Sequence, residues 1–387
     1  MADGRTTFVA VLSVFLLGLC QHGSSQQPSP VSPLIVEEQL LYVGGTWGEV
    51  HTYRIPIMVG TPKGNLITVV EARQFSSGDS GPKFMAIRRS EDKGFTWSEM
   101  DYVLNDGSFQ DGMNLGTILV DEITNEIFIF YTHCAHYYEC KVSTTYLVSS
   151  KDEGKSWSHP RNLSEEIGTM MFAPGPGYGI QKRYAPNKGR LLTCGHGTLA
   201  GDGVFCLISD DHGAHWRYSG VMKSIPYKQS KKRGDFDPDE NQPVELPDGS
   251  IIVNARNQYL YHCHCRIIMR SYDGGETFPL EHLYFDETLI DPAVAAGVFY
   301  HNGVMYFSNT ASEVHRENMM LRWSYDNGTT WPGALPIWDK PAAYSTLMML
   351  PTNDMDDQQH LYLLYEKGVK SSAESISLVK ISLYGNL

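Results

Sequence analysis

"SYDNGTTW" occupies residues 324–331, and four other stretches repeat its pattern. They are "SEDKGFTW" (90–97), "SKDEGKSW" (150–157), "SDDHGAHW" (209–216) and "SYDGGETF" (271–278). Their aspartates are Asp92, Asp152, Asp211, Asp273 and Asp326, separated by 60, 59, 62 and 53 residues. A fixed period of this size signals a repeat architecture, one supersecondary unit per copy. The chain between octets is short and β-like, as in "EIFIFYTH" (126–133), "GRLLTCGH" (189–196) and "GSIIVNAR" (249–256). One four-stranded sheet per period is a propeller blade, and roughly 360 residues remain once a leader is set aside. The predicted fold is therefore an all-β, six-bladed β-propeller.

The octet reads as a turn. Asp accepts hydrogen bonds from turn N–H groups, Gly two residues later takes a positive φ, and the hydroxyl residue adds local bonds. The terminal aromatic ring packs between strands. On this reading the octet is structural. The third copy lacks the hydroxyl and the fourth lacks Trp, so both are expected to be less firmly pinned. An acidic turn also invites calcium, but no bidentate Glu follows at the spacing of a helix–loop–helix calcium site.

Composition agrees with β-structure. Charged residues are only 19%, against 36 Gly, 20 Pro and 22 Tyr, a mix that favours short strands and tight turns over amphipathic helices. A net charge of −13 argues against nucleic acid as a partner. The 14 histidines would offset much of that charge in an acidic compartment.

Residues 1–25 read as a secretory signal peptide, with Arg5, the apolar run "FVAVLSVFLLGLC" (8–20) and small residues in "HGSS" (22–25). An uncleaved anchor is the alternative. The working domain is then 26–387, in a luminal or extracellular setting. Six cysteines remain, and an oxidising compartment favours the local disulfides Cys134–Cys140 and Cys194–Cys206. Cys263 and Cys265 read either as strand cysteines on opposite faces or as half of a metal site, although no second ligand cluster accompanies them. Asn162 and Asn327 head glycosylation sequons.

S-x-D-x-G-x-[TS]-W repeats are the Asp boxes of the sialidase (neuraminidase) family, and "YRIP" (53–56) ahead of the first box is that family's second hallmark. The stretches "TPKGNLITVVEAR", "NLSEEIGTMMFAPGPGYGIQK", "GVFCLISDDHGAHWRY", "VNARNQ", "YHCHCRI" and "ESISLVKISLYGNL" resemble the animal lysosomal sialidases over nearly the whole mature chain. The resemblance implies a sialidase-type propeller and an exo-α-sialidase. Such an enzyme removes terminal α-linked sialic acids from glycoproteins, oligosaccharides and glycolipids, retaining configuration. It implies no metal or organic cofactor.

The resemblance also assigns residues. A sialic acid carries a carboxylate on its anomeric carbon, and arginine's planar fork suits it. Arg54, Arg256 and Arg316 match the family's three arginines, with Arg322 a competitor for the third place. Tyr344 in "AAYSTL" matches the nucleophile, which sialidases use in place of a carboxylate. Glu240 in "DPDENQP" matches the base beside it, with Asp237 and Asp239 as rivals. Asp79 in "SSGDSGPKF" matches the general acid/base, and Glu366 in "LYEKG" the carboxylate that orients Arg54. Arg73 and Asp111 are expected in the pocket wall. Asn241 stands where the lysosomal enzymes carry Cys.

The family further implies the lysosome lumen, with the cell surface as a second place. It implies a complex with cathepsin A and β-galactosidase, and a homo-oligomer is open. The tail "YGNL" (384–387) reads equally as a sorting signal or a last strand. A sialic-acid-binding lectin that lost turnover is the alternative function. Intact Asp79, Glu240 and Tyr344 argue against it.

Overall fold

A computed structural model describes Met1 and residues 29–46, 48, 50–105, 111–136, 140–168, 173–197, 203–224, 232 and 234–385. The leader reading and the last two residues of "YGNL" lie outside the described residues. Among those described, no helix is long and apolar enough to cross a membrane.

The chain is all-β, as its repeat predicts, and among the described residues its strands form five hydrogen-bonded sheets. The first holds Thr52–Gly60, Leu66–Arg73, Lys83–Ser90 and Asp101–Asn105 in chain order. The second holds Met113–Asp121, Glu126–His133, Thr144–Ser150 and Arg161–Asn162, and Gly177–Tyr178 runs parallel to its first strand. The third centres on Leu191–Gly197, Gly203–Ser209 and Arg217–Met222, and the fourth holds Pro238–Glu245, Ile251–Asn257, Cys265–Ser271 and Tyr284–Ile290.

The fifth sheet has seven strands. They turn on the 16-residue strand Gly333–Met348, whose first half pairs with Glu317–Ser324 and whose second half pairs with His360–Lys367. The sheet's last strand is Leu34–Val43, from the start of the chain, hydrogen-bonded antiparallel to Ser375–Ser382 near its end. Backbone pairing between the two ends closes the ring.

The first strands of successive sheets meet at the centre. The Tyr178 hydroxyl and the Gln242 amide both donate to the Val298 carbonyl, at 2.6 and 2.8 Å, joining three sheets. Strands such as Leu66–Arg73 and Ser375–Ser382 are buried along their whole length, as expected of sheets packed on both faces.

Each octet folds into one turn. In the first, the Ser90 hydroxyl donates to Asp92 and accepts the Gly94 N–H, while Asp92 accepts the Thr96 N–H (2.8 Å) and hydroxyl (2.6 Å). The fourth and fifth residues both have positive φ, for example Lys93 (+59°) and Gly94 (+89°). Glycine in fifth place carries this without steric cost.

The third and fourth copies are not loosely pinned. In the third, His215 replaces the hydroxyl, its Nδ1 lying 2.7 Å from Asp211. In the fourth, Phe278 replaces Trp and is 5% exposed, against 9% for Trp331. An imidazole nitrogen can do a hydroxyl's work, and a smaller ring can fit against Gly220, where a Cβ would come within 2.4 Å of it.

The turns also clasp neighbouring sheets. Arg89 of the first sheet donates to the Gly154 carbonyl, Arg161 of the second to Gly213, and Arg190 of the third to Gly274. The Trp331 indole reaches Asp286 of the fourth sheet, and Gln39 of the closing strand donates to Gly94.

The disulfides Cys134–Cys140 and Cys194–Cys206 form as expected. Cys263 and Cys265 form a third, which corrects the placement on opposite faces and leaves their sulfurs bonded to each other. Residues two apart along a strand point to the same face, and here Cys263 lies in the loop just before the strand that Cys265 opens, which lets the two sulfurs meet.

Candidate active site

Three residues that the sequence singled out sit on central strands exactly where their pairing register slips. The slips fall between Arg54 and Ile57, between Pro238 and Asn241, and between Ala342 and Ser345. A bulge turns a side chain out of the regular alternation, which is how Arg54, Glu240 and Tyr344 come to face one mouth. The "YRIP" stretch makes the first of these bulges. Ile55 has a φ of +56°, costly for a β-branched residue, and its N–H donates to Glu366 at 3.0 Å.

Glu366 is fully buried and gathers the Arg54 end of the site. Its carboxylate accepts Arg54 Nε and Nη2 at 2.9 and 3.1 Å, a bidentate pair, and the Tyr344 N–H at 3.3 Å. Burial pulls the Arg54 guanidinium toward losing its proton, but Glu366 outweighs this and holds its pKa above the ordinary value.

Tyr344 is the hub. Its hydroxyl donates a short hydrogen bond to Glu240 Oε1, while Arg256 Nη1 donates to Glu240 Oε2 (2.6 Å) and to the Tyr344 oxygen (3.2 Å). The Arg54 and Arg316 guanidiniums lie 5.1 and 5.6 Å from the ring centroid. Burial pushes the phenol's pKa up, and the Glu240 charge adds to this against the pull of the arginines. The phenol therefore rests protonated, with a carboxylate placed to take its proton.

Of the two candidates for the third arginine, Arg316 lies over the Tyr344 ring, whereas Arg322 sits within the strand Glu317–Ser324, paired with Phe307 and Ala334. Among the rivals of Glu240, Asp239 lines the cavity but accepts the Glu240 N–H, and only Glu240 bonds the phenol.

Asp79 lies in the loop between Leu66–Arg73 and Lys83–Ser90, with its side chain 66% exposed. Arg73 Nη1 donates to its carboxylate at 2.9 Å, and Arg54 Nη1 is 3.8 Å away. Partial burial favours the neutral acid, but Arg73 and Arg54 win and hold its pKa below the usual carboxylate value. Asp111 is buried behind the wall. It accepts the backbone N–H of His136 (2.8 Å), and His136 is what reaches the cavity.

Of these residues Asp79, Arg73, His136, Glu240, Arg256 and Tyr344 line a cavity of about 280 Å³, which His196 also lines. That is room for one sugar-sized group. Some supports escaped the sequence reading. Glu71, 1% exposed, accepts Arg73 Nε and the Leu115 N–H. Lys83, fully buried, donates to the Asp79 and Met113 carbonyls and to Asn114. Both lie inside stretches already quoted, at positions where a buried charge signals a partner.

The chain is 30% identical to a sialidase of Micromonospora viridifaciens over 372 residues, covering 88% of this chain and 53% of the relative. It is 25% identical to sialidase-2 of Mus musculus, covering 87% of this chain and 93% of the relative. The chain thus spans about half the length of the bacterial relative, and 60% of a Bacteroides fragilis sialidase. Among solved structures, a Hadza microbial sialidase superposes with a TM-score of 0.70 at 24% identity, over 87% of this chain and 66% of that one. A Trypanosoma rangeli sialidase superposes at 0.67 and 21% identity, over 90% and 59%. These two share the fold, a sialidase-type β-propeller. The BNR repeat-like domain matches residues 64–356, most of the chain, so this protein belongs to the BNR repeat-like family.

Proposed function

We propose that this protein is a retaining exo-α-sialidase of six blades, the seven-stranded sheet counting as two that share Gly333–Met348. The observation that carries the reading is the Tyr344–Glu240–Arg256 cluster beneath two further arginines. A carboxylate nucleophile would be repelled by the sugar's own carboxylate. A phenol is neutral, and needs a base beside it.

In the proposed reaction Arg54, Arg256 and Arg316 hold the sugar carboxylate. Asp79 gives its proton to the departing glycosidic oxygen as the Tyr344 oxygen bonds the anomeric carbon, and Glu240 takes the phenolic proton. Asp79, now ionised, then removes a proton from water. The water oxygen displaces Tyr344 from the anomeric carbon, and Glu240 returns the proton to the phenoxide. Two inversions leave the configuration unchanged. The substrates are α-sialosides on glycoproteins, oligosaccharides and glycolipids.

We extend the reading to a secreted-pathway protein with the leader 1–25 removed, glycosylated at the exposed Asn162 and Asn327. It would act in the lysosome lumen, with cathepsin A and β-galactosidase as partners. Release of a fluorophore from an α-sialoside between pH 3.5 and 8 tests the activity. Turnover that disappears in Asp79→Ala supports it. A folded wild type that binds the sialoside without turnover, with partners added, favours the lectin.

A further inference from the structure

Two of the three arginines have carboxylates against them: Arg54 has Glu366 and Arg256 has Glu240. Arg316 is held differently. Among the described residues no carboxylate pairs with it, and its Nη2 donates to the backbone carbonyl of Ala293 at 3.2 Å.

Ala293 has a φ of +61° in the link between Tyr284–Ile290 and Gly297–His301. A non-glycine residue is uncommon there, and persists where its surroundings over-determine it. Those surroundings are a buried ion pair. Arg266 and Asp291, both fully buried, meet at 3.1 Å. Arg266 Nη1 also donates to the Val294 carbonyl (2.5 Å), and its Nε to Asn254 (2.7 Å). Asp291 accepts the Val294 N–H (3.0 Å) and the Asn309 amide (3.0 Å). The residue after Ala293 is therefore gripped at both its N–H and its carbonyl.

We infer that Arg266 and Asp291 are positioning residues for Arg316: they fix the Ala293 carbonyl that aims its guanidinium across Tyr344. A carbonyl sets direction without cancelling charge. A carboxylate in its place would neutralise Arg316, as Glu366 does for Arg54. Arg316 is thus the clamp arginine whose positive charge is left for an anionic ligand.

This rests on the sialoside reading, so its test reads binding and not turnover. The dissociation constant of N-acetylneuraminic acid is measured by calorimetry on the full chain as wild type, Asp291→Asn, Arg316→Ala and the double variant. Asp291→Asn should weaken binding about ten-fold, and should add nothing once Arg316 is already Ala. Wild-type affinity in a folded Asp291→Asn overturns the inference. So does an undiminished ten-fold loss in the Arg316→Ala background, which would mark a general structural effect. Should Asp291→Asn fail to fold, Ala293→Pro replaces it in the same cycle, since proline cannot hold this φ. A wild type that binds the acid but hydrolyses no α-sialoside sinks the enzyme reading and leaves this one standing. A wild type that binds no sugar acid overturns both.

Discussion

Ile55 spends stability to aim its neighbour. Its φ of +56° sets the bulge that turns Arg54 toward Tyr344, and its N–H is tied to the buried Glu366. Ile55→Gly removes that strain but also a core side chain only 7% exposed, so it should lower the unfolding temperature while raising KM about ten-fold, as measured by calorimetry and sialoside kinetics. Asp79 predicts the pH behaviour. Arg73 and Arg54 outweigh burial and lower its pKa, so the protonated acid that the proposed first step requires grows in population as pH falls. Activity should therefore rise as pH falls from neutrality toward the carboxylate range, with the alkaline limb of kcat/KM set below pH 7; an optimum above 7 contradicts the assignment. Arg54, Glu240 and Tyr344 were legible because motif and order mark them. Lys83, Arg266 and Asp291 were not, because strand pairing, invisible in one sequence, creates their partners.

The octets were legible as turns, but their role as clasps between sheets was not. That role depends on Arg89, Arg161 and Arg190, whose partners lie 52 to 84 residues away. The sequence reading also went astray on the third copy by counting hydroxyls instead of hydrogen-bonding atoms. His215→Ala should accordingly lower the unfolding temperature by about 2 °C, read by thermal denaturation. The box carboxylates set an acid limit for the fold. Bonds from Ser156 lower Asp152 to about 2, and Asp211 also falls to about 2, where burial opposes but the His215 N–H and ring prevail. Their unfolded value is about 3.9. A carboxylate lowered on folding contributes stability that is complete above the unfolded value and is lost as pH falls through the folded one. Acid unfolding followed by circular dichroism should leave the protein intact at pH 4.5 and begin its loss of stability between about pH 4 and 2.

At the scale of the molecule, closure is the step that assembles the site. Arg54, Glu240, Arg316 and Tyr344 come from three sheets, and only a closed ring brings them to one mouth. The strand Leu34–Val43 completes the last sheet against Ser375–Ser382, so a chain beginning after Val43 should lose cooperative unfolding and sugar-acid binding together. The period of the boxes foretold the propeller, but not that the chain's first strand would close it, since no octet marks that strand. The central claim is that the Tyr344 oxygen bonds the sugar. The direct measurement is mass spectrometry of a protease digest after incubation with 2,3-difluorosialic acid at acidic pH. The account predicts a sialyl adduct on the peptide containing Tyr344, absent from Tyr344→Phe although that variant still binds N-acetylneuraminic acid. An adduct on any other residue, or one that survives Tyr344→Phe, would contradict it.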